Sequence, residues 1–279
     1  MWSRSSDIRT LALGAGCELS LFLSWLYEQK PTTWFIRGSA VHAAIEAAIT
    51  YDLGMTEAVD EAGYFIHRAL RAAQAEGQEV LIAPRSCTTT ATLLPEAATL
   101  IGTWFRSVHP DSPQRMAAYS QYDWPPIVEH QIRLSGSALY TTIDARFSGG
   151  PESRPVAIVD WKTGSKAYAP ESQLQTYTFG GRREGWFPED QETIGWFHHL
   201  KADKLQWAEQ YWGDAVVMAW LDATVARKIA VTGSLMPVAN PGPLCFTCPV
   251  RWACPIKGQG DWADLGHRIA VAQKENIPS

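Results

Sequence analysis

Two carboxylates and a lysine are spaced as strand-borne residues that could hydrolyse a phosphodiester bond. The short apolar, β-branched run at residues 156–159 predicts a buried strand, which ends in Asp160 and is followed by Lys162. Alternate side chains of a strand share a face, so we expect Asp160 and Lys162 to project together and Trp161 to point away. An alternating segment upstream brings a second carboxylate, Asp144. Carboxylates that bind a divalent metal beside a lysine are the minimum for metal-assisted phosphodiester hydrolysis.

Two predicted helices supply further polar residues. A helix over residues 171–183 places Gln173 and Tyr177 four residues apart on one face. Another opens after Arg37-Gly38-Ser39 and pairs His42 with Glu46 in the same way. A single histidine on a helix is most often structural, so its spacing alone assigns no role.

Together these segments resemble the PD-(D/E)XK nuclease superfamily, and more narrowly its RecB-type branch. The shared pattern is Asp144, then Val-Asp160-Trp-Lys162-Thr-Gly, then Gln173-Leu-x-x-Tyr177 on a helix, with Gly-x-x-x-His42 upstream. The departures are Trp161, where the branch commonly has tyrosine, and Thr141, where members often have glycine.

The resemblance implies an α/β fold with a restriction-endonuclease-like core, in which helices flank a mixed central sheet. It also implies Mg²⁺ or Mn²⁺ at the active site. The implied catalytic residues are Asp144, Asp160, Lys162, Gln173 and Tyr177, and the implied metal ligands are His42, Asp144, Asp160 and the carbonyl of Trp161. Members often have a glutamate where Glu129 stands, and a place in the site and an exposed strand position are equally compatible with the sequence.

Five cysteines in a chain without a recognisable secretory signal argue against a disulfide framework. Cys245, Cys248 and Cys254 form a Cys-x2-Cys-x5-Cys pattern in a proline-rich stretch, where turns can bring thiolates together around a metal centre. Such centres commonly have four ligands, and Cys17 is a better fourth candidate than Cys87.

This cysteine order is similar to that of the iron–sulfur nucleases of the RecB-type group, which include the CRISPR-associated Cas-four family and the AddAB B subunits. The resemblance implies a [4Fe–4S] cluster held by Cys17, Cys245, Cys248 and Cys254, with Cys87 as a free thiol. The alternative is structural Zn²⁺ on the same four thiolates.

The chain of 279 residues is expected to form a single nuclease domain. Residues 1–120 are mainly helical, 121–235 form the nuclease core, and 236–260 are a cysteine loop that closes onto Cys17. Helices are predicted over residues 7–29, 40–49, 56–76, 94–108, 171–183 and 212–229, and strands over 127–134, 139–147, 156–160, 193–200 and 205–212, followed by a polar tail.

A net charge of −5 does not favour nucleic-acid binding, although a nuclease needs only a locally basic groove. No apolar run is long enough to span a membrane, no signal peptide is recognised, and no Gly-rich phosphate loop suggests a helicase motor. A cytoplasmic location in a bacterium or a phage-infected cell is therefore expected. The candidate groove residues are Arg37, Lys162, Lys166, Arg182, Arg183, Lys201 and Lys204.

We therefore predict a metal-dependent DNA exonuclease that acts at DNA ends or in single strands, in recombination, replication, repair or CRISPR adaptation. The alternatives are a structure-specific endonuclease with the same site and a non-catalytic DNA-binding scaffold subunit. The expected partners are single-stranded DNA or duplex ends, and a second copy of the chain or a recombination or CRISPR protein.

Overall fold

The computed structural model describes residues 3–4, 17–27, 30–82, 88–134, 139–148, 155–164, 169, 171–186, 191–208, 211–233, 239, 245, 248 and 250–275. Cys87 and Lys166 lie outside these ranges, as does the side chain of Glu129. The strands are β1 (Ser3–Arg4), β2 (Ile127–Leu134), β3 (Leu139–Phe147), β4 (Val156–Lys162), β5 (Thr193–His199) and β6 (Lys204–Trp207). The helices are α1 (Glu18–Leu26), α2 (Thr33–Tyr51), α3 (Met55–Ala75), α4 (Leu93–Ser107), α5 (Ala117–Ser120), α6 (Ser172–Arg183), α7 (Asp214–Gly233) and α8 (Trp262–Glu275).

The described strands form one mixed sheet of six strands. β2 and β3 form the predicted antiparallel hairpin, and β3 pairs with β4 in the antiparallel sense through residues 145–147 and 157–159. β4 then runs parallel to β5 along its whole length, with α6 as the crossover between them, and β6 returns antiparallel to β5. The predicted α/β class, with helices flanking a mixed central sheet, is confirmed.

β4 is buried on both faces, which explains its continuous apolar sequence. Ala157 and Val159 face a core built mainly by α2, α3 and α4. Val156 and Ile158 face a second core that includes residues of α6 and α7. Because alternate side chains of β4 enter different cores, the end of this strand lies between two packed helical layers.

α2 begins earlier than the sequence predicted. Thr32 precedes the helix, and its side-chain oxygen accepts a hydrogen bond from the backbone N–H of Phe35 at 3.3 Å. Gly38, which suggested a helix start, lies inside α2, where an added Cβ would be 3.1 Å from Oγ1 of Thr163. This glycine therefore permits a close approach between α2 and the end of β4.

A third apolar cluster joins α1 to the C-terminal residues. Leu19, Phe22 and Leu23 pack with residues that include Val250 and Leu265, and α8 forms where the sequence predicted a polar tail. That prediction was wrong because α8 is amphipathic and buries Leu265 against α1. In the described part of the chain, no helix combines the length and the apolar character needed to cross a membrane.

Candidate active site

Asp160 and Lys162 project to the same side at the end of β4, as the alternation of strand side chains predicted. The Lys162 Nζ lies 2.7 Å from Oδ1 of Asp160 and 5.0 Å from the ring centroid of Phe197. Trp161 points the other way and packs edge-on against Trp104 in the helical core. β4 thus presents Asp160 and Lys162 to one side, while the Trp161 indole packs in the core on the other side.

Gln173 and Tyr177 of α6 complete a closed ring of polar contacts with this pair. Lys162 Nζ donates to Oε1 of Gln173 at 2.9 Å, and Nε2 of Gln173 donates to the Tyr177 hydroxyl at 2.5 Å. The Tyr177 hydroxyl in turn donates to Oδ2 of Asp160 at 3.4 Å. The i, i+4 spacing on α6 therefore holds the lysine ammonium and the carboxylate in one fixed geometry.

Asp144 and His42 lie beside this ring. Oδ2 of Asp144 accepts a hydrogen bond at 2.7 Å from the backbone N–H of Trp161, which fixes the carboxylate next to β4. Its Oδ1 is 3.4 Å from Nδ1 of His42 on α2. Residues from one helix and two strands thus converge where the resemblance implied a metal site.

The carboxylates influence each other electrostatically. Burial raises the pKa of Asp160, the Lys162 charge opposes this shift, and the Asp144 charge adds to it. Two neighbouring carboxylates with few exposed atoms repel each other, and a divalent cation would offset this repulsion.

A cavity of about 410 Å³ opens next to Asp144 and His42. Glu46, one helical turn beyond His42, and Thr163, which follows Lys162, also line it. Trp34 and Phe35, which the sequence did not single out, line it as well. The available signal was their position at the start of α2, in the turn that precedes the Gly-x-x-x-His segment.

Arg37 was a candidate for a DNA groove, but the structure shows it as a buried, structural residue. The guanidinium is buried, contacts Glu96, and donates to the backbone carbonyl of Thr163 at 3.1 Å. Burial acts to raise the pKa of Glu96, but hydrogen bonds from Thr88, Arg37 and Thr92 outweigh it and lower the pKa. Arg37 therefore ties α2 and α4 to the residue that follows Lys162.

The other groove candidates that the structure describes are dispersed. Arg182 donates to the carbonyl of Gln191 and covers the Tyr211 ring, and Arg183 covers the Phe179 ring. Lys201 and Lys204 are exposed around the turn between β5 and β6. Among the described candidates, Lys162 is the one that belongs to the ring at the end of β4.

A buried polar chain runs behind the sheet. The Tyr119 hydroxyl lies 3.0 Å from Nδ1 of His198, and Nε2 of His198 lies 3.1 Å from Oδ1 of Asp203. Ser107 and Arg106 of α4 donate to the same carboxylate. Burial lowers the pKa of His198, so the imidazole is held neutral and joins α4 and α5 to β5.

The predicted cysteine ligands lie partly together. Cys17, Cys248 and Cys254 all pack against the cluster between α1 and α8. Burial raises the pKa of Cys248, a hydrogen bond with Ser20 opposes this shift, and the nearby Cys17 and Cys254 raise the pKa further. Cys245 is half-buried, and none of these four cysteines forms a disulfide.

Within the described ranges, no set of three or more His, Cys, Asp or Glu side chains is already grouped as a metal site. The donors at the end of β4 nevertheless fit a hard divalent cation. Asp144 and Asp160 offer carboxylate oxygens, and Mg²⁺ typically takes only one or two protein carboxylates and completes its shell with water. Oδ1 of Asp144 is available next to Nδ1 of His42.

A comparison with protein families places the chain in a known superfamily. A family model for the PD-(D/E)XK nuclease superfamily matches residues 11–255 of the 279. A comparison with curated proteins gave no significant match. The matched range contains the whole described sheet from β2 to β6, together with Asp144, Asp160 and Lys162. With a mixed sheet that carries these residues on adjacent strands, the chain belongs to the PD-(D/E)XK nuclease superfamily.

Proposed function

We propose that this chain is a divalent-metal-dependent deoxyribonuclease of the RecB-type branch, an exonuclease that acts at DNA ends or on linear single strands. The observation that carries the proposal is the closed ring through Asp160, Lys162, Gln173 and Tyr177, with Asp144 beside it. A vestigial site in a scaffold subunit would have no reason to keep four side chains in mutual contact. DNA ends and single strands arise in recombination, replication, repair and CRISPR adaptation, and these are the processes that we propose.

Asp144, Asp160, His42 and the carbonyl of Trp161 would hold Mg²⁺ or Mn²⁺. When bound, such an ion lowers the pKa of a water ligand and neutralises charge on the scissile phosphate. The Trp161 N–H fixes one oxygen of Asp144, so the carboxylate is oriented in advance. Residues from α2, β3 and β4 thus meet at one place with oxygen and imidazole donors.

Lys162 would orient the attacking water and stabilise the negative charge that develops on the phosphate. Its ammonium is held by Asp160 and Gln173, so the cation is positioned before the substrate arrives. Gln173 can hold the ammonium in place because its carbonyl oxygen accepts from Lys162 while its amide nitrogen donates to Tyr177. Gln173 and Tyr177 are therefore positioning residues for the acid and the base at the end of β4.

The test is digestion of DNA in Mn²⁺ or Mg²⁺, with linear single strands, linear duplexes and closed single-stranded circles as substrates. Loss of linear DNA with intact circles is expected, and cleavage of circles would indicate an endonuclease. Lys162→Ala and Asp160→Asn should each reduce the rate at least about a hundredfold, whereas Lys257→Ala, at an exposed lysine outside the candidate groove, is the control. Normal digestion by Lys162→Ala, or DNA binding without any cleavage by the wild type, would contradict the proposal.

We further propose that Cys17, Cys245, Cys248 and Cys254 hold a [4Fe–4S] cluster that fixes α1 against the C-terminal residues. The shared packing of Cys17, Cys248 and Cys254 supports this, and Zn²⁺ on the same thiolates is the alternative. Anaerobic purification should give a brown protein with about four iron atoms per chain. Cys248→Ser should lose the metal and Cys87→Ser should keep it, while a colourless protein that contains zinc would exclude the cluster.

A further inference from the structure

Two aromatic side chains next to the candidate active site are partly exposed to solvent. Trp34 and Phe35 are 42% and 60% exposed, and their rings meet edge to face with centroids 6.4 Å apart. Large aromatic side chains are usually buried, because removing their area from water is favourable. Packing within the folded chain therefore does not explain why these two rings face the solvent.

The backbone that carries the two rings is firmly held. Thr33, the residue before Trp34, is buried, and its backbone N–H donates to the carbonyl of Leu81 at 3.0 Å. The side-chain hydroxyl of Thr33 donates to the carbonyl of Thr88 at 3.0 Å. The Thr32 side chain caps the same turn through the N–H of Phe35. The rings thus project from a fixed turn, which lowers the entropy lost when a ligand packs on them.

The same rings line two neighbouring cavities. Both residues line the 410 Å³ cavity that contains His42 and Asp144, and both also line a second cavity of about 310 Å³. Ala69 and Ala72 of α3 contribute small side chains to the second cavity. Both volumes are in the range of small-molecule sites. A flat ring of about the size of a nucleobase could enter beside either aromatic side chain.

The chemistry of these walls favours bases over phosphates. Glu46 and Asp144 line the first cavity, and these carboxylates would repel a phosphate where no cation is bound. The second cavity is lined by both Glu76 and Lys30, whose charges oppose each other, so the contacts that it offers a base come from its aromatic and apolar walls. Aromatic rings stack on any nucleobase, since every base has a π face. A paired duplex keeps its bases stacked inside, so only an unpaired strand can present them here.

We propose that Trp34 and Phe35 form a base-stacking platform for an unpaired DNA strand whose backbone passes toward Asp144. This rests on the proposed nuclease function and names its substrate: single strands, and duplex ends after local fraying. The platform makes unpaired bases, in addition to phosphates, a requirement for tight binding. It selects against intact duplex without reading the sequence.

The test measures binding separately from cleavage. The full-length protein is titrated in EDTA into a fluorescent single-stranded oligonucleotide and into one of the same length whose sugars carry no bases. The base-containing strand should bind roughly fivefold to 150-fold more tightly, which corresponds to one stacked base at about 1–3 kcal/mol. Trp34→Ala with Phe35→Ala should abolish this ratio, and Trp34→Phe with Phe35→Tyr should largely keep it.

Tyr51→Ala is the matched control, because Tyr51 is a 72% exposed aromatic residue on the same helix. It lies seventeen residues beyond Trp34, about 25 Å along the axis, and should leave the ratio unchanged. An equal affinity of the wild type for both strands, or an unchanged ratio in the double alanine variant, would overturn the platform. Digestion of the same oligonucleotide in Mn²⁺ tests the proposed function independently. A wild type that shows the ratio but never cleaves would refute only the nuclease.

Discussion

Removal of the Tyr177 hydroxyl tests whether the ring of polar contacts at the end of β4 positions Lys162. Tyr177→Phe removes one oxygen from a buried ring and leaves the ring volume unchanged. It deletes a 2.5 Å hydrogen bond from Gln173 and a 3.4 Å hydrogen bond to Asp160. The second is near the distance limit and contributes little, so the loss is about 1–2 kcal/mol. If that energy positions the lysine, kcat falls roughly fivefold to thirtyfold.

The coupling to Gln173 makes this prediction specific. Gln173→Ala also breaks the charge-assisted bond from Lys162, so its effect on kcat should exceed that of Tyr177→Phe. Because Tyr177 acts on the lysine through Gln173, the double variant should be less impaired than the sum of the two, by about 1 kcal/mol. Initial rates at saturating DNA and Mn²⁺ give kcat, and thermal melts exclude a loss of folded protein. Additive effects, or a change in KM alone, would refute the positioning role.

Three further predictions concern stability. Arg37→Ala should lower the free energy of unfolding by about 2 kcal/mol because it removes a buried guanidinium that bonds Glu96, Thr88 and the Thr163 carbonyl, and an unchanged urea midpoint would contradict this. Acidification from about pH 7.5 to about pH 5.5 should destabilise the wild type more than His198→Gln. Because the folded protein lowers the pKa of His198, the unfolded chain binds the proton first as the pH falls below the ordinary value of 6.5, and this proton binding favours unfolding. Equal losses of stability in the wild type and in His198→Gln would contradict this prediction. Gly258→Ala should destabilise by about 3 kcal/mol because its Cβ would overlap the Arg251 carbonyl, whereas Gly266→Ala meets nothing within 4 Å and should be neutral or slightly stabilising in thermal melts.

The strands were predictable because their signals are local. Alternation along β3 and the apolar run of β4 gave both the sheet and the shared side of Asp160 and Lys162. The start of α2 was misplaced because Arg37-Gly38-Ser39 was interpreted as the opening of the helix. Position 38 favours glycine because the side chain of Thr163, more than a hundred residues later in the chain, leaves little room for a Cβ atom there.

The side-chain contacts of the site could be predicted only in part. The i, i+4 spacing placed Gln173 and Tyr177 on one face, but contact with Lys162 depends on how α6 packs on the sheet. Arg37 was misassigned because a charge count contains no information about burial. The exposure of Trp34 was equally hidden, since aromatic residues in a sequence are most often core residues.

The cluster between α1 and the C-terminal residues has a consequence for the order in which the chain folds. Phe22 and Leu23 on α1 are almost fully buried, and their cluster includes Val250 and Leu265. During synthesis α1 leaves the ribosome long before those residues exist, so its apolar face has no native partner while the sheet forms. Closing so long a loop costs little more entropy than closing one of half its length, but it cannot begin until Val250 and Leu265 have been synthesised. Until those residues have been synthesised, the apolar face of α1 is open to aggregation or chaperone capture in the nascent chain.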